Sequence, residues 1–351
     1  MSPFGKYVFI WKVPALLGGN PQNIGETALS AGIDTLIVKF VNGKYVYTPP
    51  GFATWGINLK KEHVLLWQSL GLRVWGYAYI LGENPSLEAE VAAKEALNIG
   101  LDGVAFDVEI EFETAQAVAT AVGTKVGFIE VTPQVNLGLT LKVASLRIAE
   151  GLDVPPQALM KAPFEVQANP AGNAHTYMKS FKLVAPTMPT VFVCFPLFRS
   201  PNTGGTWHDK SMYTAFMQYC DFGMPMVYWW GSYVANMLWM LNHSLAQWSE
   251  IAGGKPIIPI GRLYTGDGGT ATTEAIAAFG QELHTRNLIG GGGWHFGTGI
   301  TNEGWWKAFT EWPQWQVQPP PPPSTPFLER PEAERWYIVR DDLLGRGVID
   351  A

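Results

Sequence analysis

The sequence reads as an α/β protein of the (β/α)8 barrel class, and three observations predict it. Apolar strand-like runs alternate with helical patterns eight times along the chain, with few hairpin signals between them. Hydrophobic residues make up 47% of the 351 residues and charged residues 15%, which suits one large buried core. The run Leu101–Glu113 alternates apolar and acidic residues with period 2, as a strand does when one face is dry and the other opens on water or a ligand. A doubly wound open sheet competes, but no Gly-x-Gly-x-x-Gly turn follows the first strand. Eight units that close give a TIM barrel.

Taken in order, Tyr7–Val13 is a strand and Gln22–Ala31 a helix. Thr35–Val41 is the second strand, followed by a helix over Lys60–Leu70 that ends at Gly71, a good C-cap residue. Arg73–Ile80 is the third strand and Ser86–Ile99 its helix, again followed by glycine. The acidic stretch is the fourth strand. Val104, Phe106, Val108, Ile110 and Phe112 share its outer face; Ala105, Asp107, Glu109, Glu111 and Glu113 share the inner one. An edge strand with a solvated acidic face gives the same pattern. Later units pair strands at Thr190–Phe198, Met224–Trp230, Ile257–Tyr264 and Gly291–Phe296 with helices at Lys210–Cys220, Ala235–Ile251, Thr272–Asn287 and Trp305–Trp312. The helix over Asn173–Val184 belongs to strand four.

Residues 115–168 interrupt the rhythm where a few residues suffice, so they form an insertion at the C-terminal mouth, a lid or docking surface. The barrel domain spans residues 1–315. Residues 316–326, with five consecutive prolines, are a stiff spacer. Residues 327–351 are too few to fold alone, and Trp336–Val339 is their only strong strand signal. They are either disordered or a docking tail for a protein partner or a second copy of the chain.

Composition excludes several classes of function. A net charge of −6 with no basic run argues against nucleic acid as a partner. No apolar run approaches the ~18 residues a membrane span needs. The start of the chain carries no signal-peptide pattern, so synthesis in a cytoplasm is expected, with lysis or an export assembly as the way out. Cys194 and Cys220 are the only cysteines, which allows neither a disulfide framework nor zinc spacing. Same-face strand residues stand ~6.5–7 Å apart, wide for sharing one Ca2+ or Mg2+, so neither metal nor cofactor is expected. Gly266–Gly269 is a turn in preference to a phosphate cradle, and Gly290–Gly293 allows close packing.

Barrel sites are built at the C-terminal ends of strands, so the candidates are collected there. Lys39 and Asn42 end strand two; Tyr77 and Tyr79 end strand three; Asp107, Glu109 and Glu111 end strand four. Phe198 and Arg199 follow strand five, and Tyr228, Trp229 and Trp230 strand six. Arg262 and Tyr264 end strand seven; Trp294 and His295 end strand eight. His295 is either a second acid/base or a hydrogen-bonded barrel histidine. Fifteen tryptophans and twelve tyrosines exceed the needs of a core, and rings around carboxylates suit hydrolysis of a glycosidic bond. One carboxyl protonates the leaving oxygen, another stabilises the cationic centre or activates water, and rings stack on sugar faces.

Asp102-Gly-Val-Ala-Phe-Asp107-Val-Glu109 resembles the D-G-x-D-x-D-x-E strand of the family 18 chitinase-like glycoside hydrolases, and Met226-Val-Tyr228 resembles their M-x-Y segment. The resemblance implies Glu109 as general acid, with Asp107 and Tyr228 on the substrate's N-acetyl group. Ala105 stands in place of that family's innermost aspartate, and Trp229 in place of the aspartate after the tyrosine. Through Val38-Lys39, Val74-Trp75-Gly76-Tyr77, Asp107-x-Glu109-x-Glu111 and Met224-Pro-x-Val-Tyr-Trp229, the chain is also similar, over roughly residues 5–312, to a looser group of bacterial and phage glycosidase-like barrels. The lysozyme-like family 25 enzymes share its Asp-x-Glu strand. Two functions follow as expectations. The first is a glycoside hydrolase acting on an N-acetylated polysaccharide, peptidoglycan or chitin-like, with Glu109, Asp107 and Tyr228 catalytic. Lys39, Tyr77, Tyr79, Glu111, Trp229, Trp294 and His295 then bind substrate. The second is a catalytically silent barrel, a structural or glycan-binding component of a phage particle or injection device.

Overall fold

The computed structural model describes residues 4–115 and 169–316, together with the backbone of residues 124–125 and 128–129. Beyond Ala115 and Gln316, the insertion, the proline spacer and the docking tail lie outside the described residues. The rest is the expected (β/α)8 barrel. Its strands are β1 (Gly5–Ile10), β2 (Thr35–Asn42), β3 (Arg73–Ile80), β4 (Gly103–Val108), β5 (Thr190–Cys194), β6 (Phe222–Pro225), β7 (Ile260–Arg262) and β8 (Gly290–Trp294). They lie in the order β7-β8-β1-β2-β3-β4-β5-β6, all parallel. Parallel bridges Gly223–Ile257 and Met226–Ile260 join β6 to the approach of β7, so the ring is nearly closed.

Among the described residues, eight principal helices cover the outside. They begin with α1 (Pro21–Ser30), α2 (Lys61–Ser69) and α3 (Pro85–Ile99); α4 (Ile110–Thr114) is a short extra turn after β4. α5 (Pro170–Val184), α6 (Lys210–Tyr219), α7 (Val234–Ala252) and α8 (Thr273–Thr285) follow, then α9 (Phe296–Thr301) and α10 (Glu303–Thr310). Polar side chains start them: Asn20, Asn84, Asn169, Asp209, Thr272 and Asn302 each accept a first-turn backbone N–H. No helix among the described residues is long and apolar enough to cross a membrane.

Period-2 alternation sorts the strand residues into two cores. Tyr7, Phe9, Ile37, Trp75, Tyr77, Ala105, Val191, Val193, Met224, Met226 and Ile260 fill the barrel interior. Val8, Leu36, Val38, Val74, Val104, Phe106, Phe192 and Val227 face the helices. Four glycines in β8 shape the interior. A Cβ on Gly292 would stand 2.2 Å from the Tyr7 carbonyl oxygen and 2.3 Å from its ring. The bare strand leaves room for Tyr7, whose buried hydroxyl donates to the carbonyls of Ile258 (3.0 Å) and Pro259 (2.8 Å).

Strand four is shorter than its alternation suggests. Its ladder ends at Ile80–Val108 on one side and Asp107–Val193 on the other. With no neighbour left to pair, the chain turns at Glu109 into α4. Ile110, expected on the outer, helix-covered face, is 46% exposed, whereas Phe112 is wholly buried against Phe216.

Candidate active site

The acidic cluster sits at the C-terminal mouth. Asp107 points inward from β4 and is buried, and its Oδ1 has no hydrogen-bond partner among the described residues. Burial pushes its carboxyl well above the usual range; Glu109 and Glu111 push the same way, against Lys39. Glu109, half-buried at the head of α4, is also raised, first by burial and next by Glu111, with Lys39 opposing. Burial lowers the Lys39 ammonium despite the pull of Asp107 and Glu109. That ammonium lies 4.5 Å from the Tyr79 ring centre, 4.7 Å from Tyr47 and 5.9 Å from Tyr77.

The helical turn separates acids that strand spacing placed on one face. Glu111 leaves the inner face and accepts a hydrogen bond from the Tyr79 hydroxyl at 2.8 Å. Glu113 turns to the loop before α6, accepting from Asp209 N (2.5 Å) and meeting His208 Nδ1 at 2.8 Å. His208 stacks on Phe195, with ring centres 4.3 Å apart. No group of three or more His, Cys, Asp or Glu among the described residues is placed to hold a metal ion.

On the far wall, Tyr228 packs edge-on against Tyr264 at 5.4 Å, its hydroxyl pKa raised by burial first and, further down, by Asp107 and Glu109. The Arg262 guanidinium lies 4.4 Å from the Tyr264 ring and bonds the Gly266 and Gly269 carbonyls. Gly266–Gly269 is the turn of a small hairpin. Trp294 touches Phe9 (5.5 Å) and Tyr77 (5.8 Å), and so joins the aromatic ring around the acids. His295 is a half-buried neighbour, its imidazole lowered by burial to about 4 and therefore neutral near pH 7.

The mouth thus brings together Lys39, Tyr77, Tyr79, Asp107 and Glu109, with Tyr228 and Trp294 across from them. Trp229 does not join. It is fully buried on the helix side against Phe279, because Met226 and Tyr228 take the inward parity and leave it the outward one. Phe198 packs on Tyr213, and Arg199 pairs with Glu250 of α7, so neither reaches the site. Sequence reasoning missed Tyr47, which a hairpin between Tyr45–Val46 and the end of β2 returns to Lys39. Asn42-Gly43 was the available signal, since that pair favours a tight hairpin turn. It also missed Trp11 and Trp305, which line a cavity next to Trp294 and His295.

Fold and site together define a (β/α)8 barrel with an acidic, aromatic-rimmed mouth. No protein-family model matches the chain, and no curated protein matches it in sequence. Among solved structures, it is similar in fold to the chitinase of Chromobacterium violaceum, with a TM-score of 0.53 and 12% identity, covering 88% of this chain and 98% of that one. Similarity extends to the glycoside hydrolase domain of PgaB (BpsB) from Bordetella bronchiseptica, with a TM-score of 0.49, 13% identity, and 88% and 98% of the two chains covered. For the endo-1,4-β-D-mannanase of Thermotoga petrophila the TM-score is 0.49 and the identity 11%, over 83% and 88% of the two chains. These neighbours are glycoside hydrolases, and at such identities the likeness speaks for the fold alone.

Proposed function

We propose that the chain is a glycoside hydrolase acting on an N-acetylated glycan of the peptidoglycan or chitin-like kind, with Glu109 as general acid. The observation that carries this reading is Glu109 itself. It stands half-buried at the mouth, beside Asp107 and facing an aromatic wall, with its carboxyl raised by burial and by Glu111. A raised pKa keeps a carboxylic acid protonated at the pH where it must give its proton to the leaving oxygen. Asp107, with Oδ1 unpartnered, is free to take the N–H of an acetamido group. Tyr228, on the opposite wall, meets the same group. The N-acetylated substrate rests on the Asp107-x-Glu109 pattern and Tyr228, not on the names of the fold neighbours.

One observation favours a second reading, a barrel that binds glycan without turnover. Ala105, wholly buried, fills the position below Asp107, so no third carboxyl is there to share its proton, and Lys39 supplies a cation instead. A single comparison separates the two. Glu109→Gln keeps the shape and removes the proton, so reducing-end release from chitin oligomers or purified peptidoglycan falls by at least ~100-fold, the usual share of a general acid. Glycan binding survives the change. Wild type that binds these glycans and releases nothing rejects the hydrolase and leaves the silent barrel.

A further inference from the structure

A second compartment opens beside the acidic cluster, on the side of β7, β8 and β1. Its volume is about 550 Å³, within the roughly 300–1,000 Å³ of small-molecule pockets. Trp294 is the wall between the two compartments, touching Phe9 and Tyr77 of the barrel interior and also lining the cavity. The other walls are Trp11 after β1, Tyr264 after β7, His295 after β8, and Asn302 and Trp305 at the junction of α9 and α10.

The lining has a definite chemistry. Three indoles face one space together with hydroxyls, an amide and an imidazole, and no Asp, Glu, Lys or Arg is among them. Burial keeps the His295 imidazole neutral near pH 7. Asn302 Oδ1 accepts the Trp305 backbone N–H at 3.1 Å, which fixes the start of α10 and leaves the Asn302 amide N–H groups for a ligand. Flat apolar rings with neutral donors and acceptors between them match a pyranose, whose C–H faces are apolar and whose edge carries hydroxyls. Lys12 lies against the Trp11 ring and Arg262 against that of Tyr264, but neither lines the cavity. Arg262 is buried and bonded to the Gly266 and Gly269 carbonyls, so a carboxylated sugar finds no cation in the lining itself to offset its lost hydration.

We propose that this cavity is a saccharide subsite selective for an uncharged sugar ring, holding the part of a glycan that extends from Glu109 past Trp294. The inference deepens the reading of the mouth as a glycan site and rests on it. It also gives the binding site a direction, from β4 across the mouth to β8 and β1.

The test is calorimetric titration of the full chain carrying Glu109→Gln, with N-acetylchitotetraose and with tetragalacturonate. The neutral ligand binds, and the anionic one binds at least ~10-fold more weakly. Trp305→Ala removes a wall, and Thr301→Tyr fills the cavity from an exposed helical position without removing core. Each weakens N-acetylchitotetraose by at least ~10-fold, and Thr301→Tyr does so with an unchanged melting temperature. Equal affinity for the two ligands, or Thr301→Tyr binding like its parent, overturns the subsite. Because the Glu109→Gln background does not turn over, binding is read apart from hydrolysis. Cleavage by wild type alongside undisturbed binding by Thr301→Tyr rejects the subsite and leaves the hydrolase. Cavity-dependent binding by a wild type that cleaves nothing does the reverse.

Discussion

Lys39 holds a cation between two carboxylates that it stabilises and three tyrosine rings that shield it from water. It opposes the upward shifts of Asp107 and Glu109, so its removal has a predictable sign. A general acid works in its protonated form, and the rate falls as pH rises through its pKa. Without the cation the Glu109 carboxylate is less stable and its pKa rises further. With Glu109 as the proposed general acid, Lys39→Met should therefore move the alkaline limb of the kcat/KM profile to higher pH. A limb that stays in place, or moves down, shows that Lys39 does not govern the acid. Lys39 and Asp107 were legible from the rule that barrel sites gather at strand C-termini, whereas Glu109, read as a strand residue, heads the helical turn that follows β4. The aromatic cage was only partly legible, because Tyr47 arrives through a hairpin that the β/α rhythm conceals.

The turn after β4 is the element on which the site depends. Strand pairing ends at Val108, and α4 then carries Glu111 to Tyr79 and Glu113 to the loop before α6. Glu113 is the brace, since its carboxylate meets both His208 and the Asp209 N–H, and Asp209 itself caps α6. Hydrogen bonds to a charged group are worth about 1.5–3 kcal/mol. Glu113→Ala should lower unfolding stability by about that much, seen as a lower urea midpoint with an unchanged slope. An unmoved midpoint means that Phe112 and the Glu111–Tyr79 bond hold α4 without Glu113. The sequence did not disclose this element. Alternation continues unbroken through Glu113, and a helical turn replaces the strand only because no neighbouring strand extends far enough to pair with it. Parity did contain the answer for Trp229, since a residue next to inward-facing Tyr228 must face outward.

At the scale of the whole molecule, the eightfold rhythm disclosed the barrel because each β/α unit carries its own apolar periodicity. The seam was not disclosed, because it joins the first strand to the last units of the chain. Gly290–Gly293 read as a place for close packing, and its partner proves to be Tyr7. Gly292→Ala would press a methyl group into the Tyr7 carbonyl and ring and should cost about 3 kcal/mol or more, the upper end of overpacking penalties. A melting temperature equal to wild type would show that the seam yields without loss. The same contact has a bearing on how the protein is made. The carbonyls that receive the Tyr7 hydroxyl lie 251 and 252 residues downstream. At about 5–20 residues per second, the ribosome takes roughly 12–50 s to supply them after Tyr7 is synthesised. During that time the growing sheet has an open edge and an unfilled interior. The nascent chain must therefore be shielded from its neighbours until its last quarter is synthesised.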